Sequence, residues 1–95
     1  MKILVLGAGL VGGPMALDLA RNGEFKVTSA DLSSEALARL ENIDGIATIQ
    51  ADLNNDEILK SLVNQHDLVI SAVPDHVDEI LKSLVNQHDL VISAV

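Results

Sequence analysis

An apolar run, Lys2-Ile3-Leu4-Val5-Leu6, passes directly into Gly7-Ala8-Gly9-Leu10-Val11-Gly12. The run has the length of a buried strand, and G-x-G-x-x-G ahead of a helical pattern reads as a tight strand-to-helix corner. Such a corner commits the chain to a βαβ unit, with a parallel strand returning beside the first. The glycines divide the work: Gly7 permits the turn, Gly9 lets backbone approach a pyrophosphate, and Gly12 lets the helix pack close to the sheet. Free N–H groups between Gly7 and Gly12, those of Leu10 and Val11 included, join the positive end of the helix in holding phosphates without any lysine. No Gly-Lys-Ser/Thr follows, which excludes a Walker loop.

Runs of strand length then alternate with helical patterns along the chain. Strands are predicted over 2–7, 25–31, 46–51, 68–73 and 90–95. The first helix spans about 10–22 and is expected to bury Leu10, Met15, Leu17, Leu19 and Ala20. Ser33 or Ser34 caps a second helix, whose Leu37 and Leu40 face the sheet. Asn54, Asn55 or Asp56 caps a third, with Ile58, Leu59, Leu62 and Val63 on one apolar stripe. A fourth carries Ile80, Leu81, Leu84 and Val85. Right-handed crossovers place the first two helices on one face and the last two on the other. The expected fold is α/β, a Rossmann-like three-layer sandwich whose five-stranded parallel sheet has the order 3-2-1-4-5, in one domain over residues 1–95.

The segment from Asp56 to Val73 recurs letter for letter as Asp78 to Val95. Natural repeats drift and carry their period through the chain, whereas nothing before residue 56 shows it. The copy is therefore read as engineered, one whole helix-and-strand unit added to extend a sheet, with a recent genomic duplication as the alternative. It places an uncharged apolar edge at 90–95, and such edges recruit other chains. A homodimer is expected, joined along strand five or by exchange of the copied units.

Asp31 ends the second strand at about the 20-residue distance where this motif presents a carboxylate to the ribose hydroxyls. A carboxylate there repels a 2′-phosphate, so NAD is the expected cofactor. Leu32, Ser33 and Ser34 supply no cation to offset it, and Arg39 is placed too far along its helix to help. Leu32 completes this part of the predicted site. With 14 acidic residues against 6 basic ones the net charge is −8, which disfavours nucleic acid and anionic membranes. The chain has no cysteine, so thiolate metal sites and disulfides are excluded. No apolar run is long enough to span a bilayer, and the glycines interrupt the signal-like start, so the cytoplasm is the expected compartment.

Lys2-Ile3-Leu4-Val5-Leu6-Gly7-Ala8-Gly9, Pro14, Asp52 after the third strand, and His66-Asp67-Leu68-Val69-Ile70-Ser71 before Pro74 form a further pattern. In these features residues 2–77 resemble the N-terminal domain of the saccharopine dehydrogenase and reductase family. The resemblance implies that Asp52 and Leu53 sit at the adenine edge and Val73 and Pro74 beside the nicotinamide half. NADP-using members tend to carry Arg where this chain has Ala30-Asp31. Past Val77 the chain departs from the family, which continues into its own helix, strand and substrate domain.

No catalytic residue is assigned. The pairs His66-Asp67 and His88-Asp89 fall in helix-to-strand turns, whereas such sheets bind ligands at the strands' C-terminal ends. His76, with Asp75, follows strand four and reads as a loop or cap residue, with a contact to bound nicotinamide or ribose as the alternative. Ser71 and Ser93 lack a visible base, and the three histidines lack metal-ligand spacing. The leading expectation is an engineered minimal domain that binds NAD(H) without turning over substrate. A working saccharopine- or lysine-type oxidoreductase and a folding design without a ligand are the alternatives.

Overall fold

The computed structural model describes residues 1–72 and 91–93. Its elements are β1 (Lys2–Leu6), α1 (Gly12–Ala20), β2 (Lys26–Asp31), α2 (Ser34–Ala38), β3 (Ile46–Gln50), α3 (Asp56–Asn64), β4 (Leu68–Ser71) and β5 (Val91–Ser93). The predicted fourth helix, together with residues 90, 94 and 95 of the predicted last strand, lies outside the described residues.

β1 is central, with β2 and β4 as parallel neighbours; β3 adds beyond β2, giving the doubly wound run β3-β2-β1-β4. Beyond β4, Val91 to Ser93 pair in parallel with Val69 to Ser71. Because both faces of β1 are covered, Ile3, Leu4, Val5 and Leu6 are all fully buried, and the strand reads as continuously apolar rather than alternating. Ile3 and Val5 pack with Ala16, Leu37 and Leu40 of the α1/α2 layer. Leu4 and Leu6 pack with Leu59, Leu62 and Val63 of α3 on the other face. The three layers and the opposite placement of α3 match the crossover expectation.

Caps explain where α2 and α3 begin. Ser33 Oγ accepts the Ala36 N–H at 3.2 Å. Asn55 Oδ1 accepts the N–H groups of Glu57 and Ile58 at 3.0 and 3.1 Å, while Asp56 and Glu57 complement the helix dipole. One expectation needs correction. Leu10, ahead of α1, is 91% exposed and Leu17 lies at the surface, while Gly12, Gly13 and Ala16 face the sheet and Met15, Leu19 and Ala20 pack half-buried against the core. Small residues let the helix axis approach β1 and β2, and that close approach leaves Leu10 and Leu17 facing outward. α2 is also a short helix, ending at Ala38. On α3, Ile58 sits at the exposed edge of the stripe formed by Leu59, Leu62 and Val63.

Candidate functional site

Parallel strands bring their C-terminal ends to one side of the sheet, so the segments after Leu6, Asp31, Gln50 and Ser71 converge there. Register makes the convergence close. Leu6 stands opposite Ala30 and Ser71, and Asp31 opposite Gln50. The crevice opens where the chain order reverses around β1, the usual ligand position in open α/β sheets.

The three glycines of the corner occupy different geometries. Gly7 adopts φ +100, and its N–H continues the ladder to the Ala30 carbonyl at 2.7 Å. A side chain at Gly12 would overlap the Gly7 carbonyl, so helix and strand touch backbone to backbone. At Gly9 an added Cβ would meet nothing within 4 Å, leaving open space above the peptide. Among the described residues, no hydrogen bond engages the N–H of Gly9, Leu10, Val11 or Gly12. α1 has neither a side-chain cap nor an acidic residue in its first turn, so these donors and the positive helix end face the opening.

Asp31 closes the corner from the neighbouring strand. Its Oδ2 accepts the Ala8 N–H at 2.8 Å and its Oδ1 accepts the Ser33 N–H at 2.9 Å. Each oxygen retains a lone-pair direction for another donor. Leu32, 61% exposed, has its carbonyl held by Gln50 Nε2 at 3.0 Å. Asp52 is exposed and accepts the Asn54 N–H at 3.0 Å in the turn before α3. Leu53 belongs to the α3-side core. Gly7, Gly9, Leu10, Val11, Leu32 and Asp52 thus lie in the loops on the C-terminal side of the sheet, with Asp31 ending β2, Gly12 opening α1 and the Leu53 side chain buried in the core. Val73, Pro74, Asp75, His76, His88 and Asp89 lie outside the described residues.

Three features go beyond what the sequence pattern conveys. The Ala8–Asp31 bond joins separate strands and has no local signal. Arg39, expected to be too distant, lines a recess of about 180 Å³ together with Ala8, Gly9, Leu10, Pro14 and Leu17. The reason is the brevity of α2, which leaves Arg39 at its C-cap beside the start of α1. Finally, Ser29 and Ser71 are fully buried with hydroxyls that have no partner among the described residues. His66 closes α3, its Nδ1–H donating to the Leu62 carbonyl at 2.6 Å, and Asp67 Oδ2 accepts the Lys2 N–H at 2.9 Å. Both occupy the end of the sheet opposite the crevice, in the turn roles expected of them. Among the described residues no cluster of His, Cys, Asp and Glu is placed to hold a metal, and no helix is long and apolar enough to cross a membrane.

The family profile described as "Saccharopine dehydrogenase NADP binding domain" matches residues 3–79. Saccharopine dehydrogenase [NADP(+), L-glutamate-forming] of Schizosaccharomyces pombe is 37% identical over 74 residues, covering 77% of this chain and 16% of that protein. The mitochondrial alpha-aminoadipic semialdehyde synthase of Rattus norvegicus is 35% identical over 74 residues, covering 77% of this chain and 8% of that protein. Among solved structures, apo saccharopine dehydrogenase (L-Glu forming) from Saccharomyces cerevisiae superposes with TM-score 0.73 at 28% identity, over 99% of this chain and 21% of that one. The Bordetella bronchiseptica enzyme WbmG in complex with NAD gives TM-score 0.77 at 14% identity, over 98% of this chain and 36% of that one, a likeness of fold alone. The chain spans less than a quarter of the saccharopine dehydrogenases it matches.

Proposed function

The chain belongs to the saccharopine dehydrogenase family through its NADP-binding domain, and from that premise we propose that it binds a pyridine dinucleotide at the glycine corner and prefers NAD(H). The observation that carries this reading is the Asp31 carboxylate, bonded into the corner through the Ala8 N–H. The residues present fit the cofactor. The unbonded N–H groups of residues 9 to 12 face the open space above Gly9, which suits a pyrophosphate with no cation required. Asp31 accepts from ribose hydroxyls and repels a 2′-phosphate. Leu32 offers an exposed apolar surface for adenine, with the exposed Asp52 at its edge, while the Leu53 side chain is turned into the core. When bound, the nicotinamide supplies hydride chemistry; the part of these residues is to hold and orient the other half of the molecule.

A second reading is NADP. It is favoured by Arg39 in the recess beside Gly9 and by the NADP(+) in the names of the relatives. A ligand that binds only the folded state raises the melting midpoint, so thermal unfolding with NAD, NADP or neither separates the readings. A larger rise with NAD supports the first and a larger rise with NADP the second. No rise with either removes both and leaves the folding design without a ligand.

The identical units at 56–73 and 78–95 are read as an engineered duplication. Self-association along the β5 edge, or by unit exchange, gives a homodimer, which sedimentation at several concentrations tests. Oxidoreductase activity of the saccharopine or lysine type is the alternative to binding alone, and NAD-dependent oxidation of either compound would establish it. The cytoplasm remains the proposed compartment.

A further inference from the structure

A cavity of about 570 Å³ lies at the N-terminal ends of the strands, on the α3 side of the sheet and away from the glycine corner. We propose that it is a second binding site, for a small organic anion with an apolar body. The volume falls within the roughly 300–1,000 Å³ typical of small-molecule sites. Lys2 and Lys26 stand at its rim, as the first residues of β1 and β2 and as direct partners in the parallel register. Strand alternation puts both on the side of Leu4, facing the α3 layer.

Like charges in adjacent cross-strand positions oppose folding, and no described carboxylate pairs with either lysine. Among the described residues the ion pair is Arg21–Asp18, elsewhere on the surface. Of the neighbouring acids, Asp67 accepts the Lys2 backbone N–H but makes no ion pair with either ammonium, and Glu24 and Asp44 lie in the turns ahead of β2 and β3 without an ion pair. A chain of net charge −8 thus places two of its 6 basic residues side by side on one cavity. An anion relieves that repulsion.

The rest of the lining selects what else the ligand carries. Ala47, exposed, and Ile49, half-buried, form an apolar floor on β3, and Thr28 lies between them and the lysines. His66 closes one end; its Nδ1–H is held by the Leu62 carbonyl, which orients the ring and leaves Nε2 as the available nitrogen. Inorganic phosphate would leave the floor wet, whereas an aryl or alkyl anion covers it.

This site is independent of the dinucleotide reading, and its test uses the full chain with 1-anilinonaphthalene-8-sulfonate as probe. The expected result is saturable one-to-one fluorescence enhancement that NADH does not displace. Amide shifts are expected at Thr28, Ala47 and His66 and not at Gly9 to Gly12. The double variant Lys2→Gln/Lys26→Gln should weaken binding by about tenfold or more, the scale of losing charge-assisted contacts. Neutral N-phenyl-1-naphthylamine should bind correspondingly weakly. Equal affinity in the double variant, equal binding of the neutral compound, displacement by NADH, or shifts confined to the glycine corner would each overturn the proposal. The shifts on the unsubstituted protein decide the matter even if the variant does not fold.

Discussion

The Asp31 carboxylate at the tip of β2 accepts the backbone N–H of Ala8, in the corner after β1, at 2.8 Å. Through this bond the residue proposed to recognise the sugar also holds the loop proposed to seat the phosphates. Asp31→Ala removes both functions, and with them the acceptor for the Ser33 N–H. Dinucleotide affinity should fall by about tenfold or more, with a stability loss of about 1–2 kcal/mol, measured by titration and by urea unfolding.

Gly9 and Gly12 separate binding from folding. At Gly9 an added Cβ meets open space, so Gly9→Ala should change stability by less than about 0.5 kcal/mol. The same methyl would occupy the proposed approach to the pyrophosphate, and NADH affinity should drop sharply. A variant that keeps full affinity would show that the phosphates lie elsewhere.

Gly12→Ala behaves in the opposite sense. Its methyl overlaps the Gly7 carbonyl and forces α1 away from β1, at a cost of about 1–3 kcal/mol. Circular dichroism during thermal unfolding checks this, with a clearly lowered midpoint expected.

Arg39 lines the recess beside Gly9 and has no ion pair among the described residues. Arg39→Gln should lower NADP affinity by about fivefold to tenfold and NAD affinity by less, because the 2′-phosphate gives the guanidinium a charged acceptor in addition to the pyrophosphate that both cofactors share. Equal effects on the two cofactors would assign Arg39 to the shared part of the ligand or to packing.

Ser29 is fully buried, and its hydroxyl has no partner among the described residues. Removing a buried polar group that has no partner relieves its desolvation cost, so Ser29→Ala should raise stability by up to about 1 kcal/mol. A loss of stability in urea unfolding would show that the hydroxyl is engaged.

The strand, glycine corner and Asp31 are legible in the sequence because their spacing expresses local backbone geometry. What joins them is not. The Ala8–Asp31 bond and the Lys2–Lys26 juxtaposition both depend on the register of β1 against β2, which no local pattern encodes. The orientation of α1 escapes a count of large apolar residues, which favours Leu10 and Leu17, because Gly12, Gly13 and Ala16 set its buried face. The nearness of Arg39 to the corner depends on where a five-residue α2 stops. Small residues that permit close approach, and helix lengths fixed by tertiary contacts, are weak signals in a one-dimensional reading.

The chain contains no Trp or Tyr, so the fluorescence of NADH can be followed with little interference. Titrating NADH into the full chain should give a saturable enhancement with one-to-one stoichiometry, lost in Gly9→Ala although that variant remains folded. A flat response into the millimolar range, with the protein folded throughout, would contradict the assignment of the glycine corner and Asp31 as a dinucleotide site.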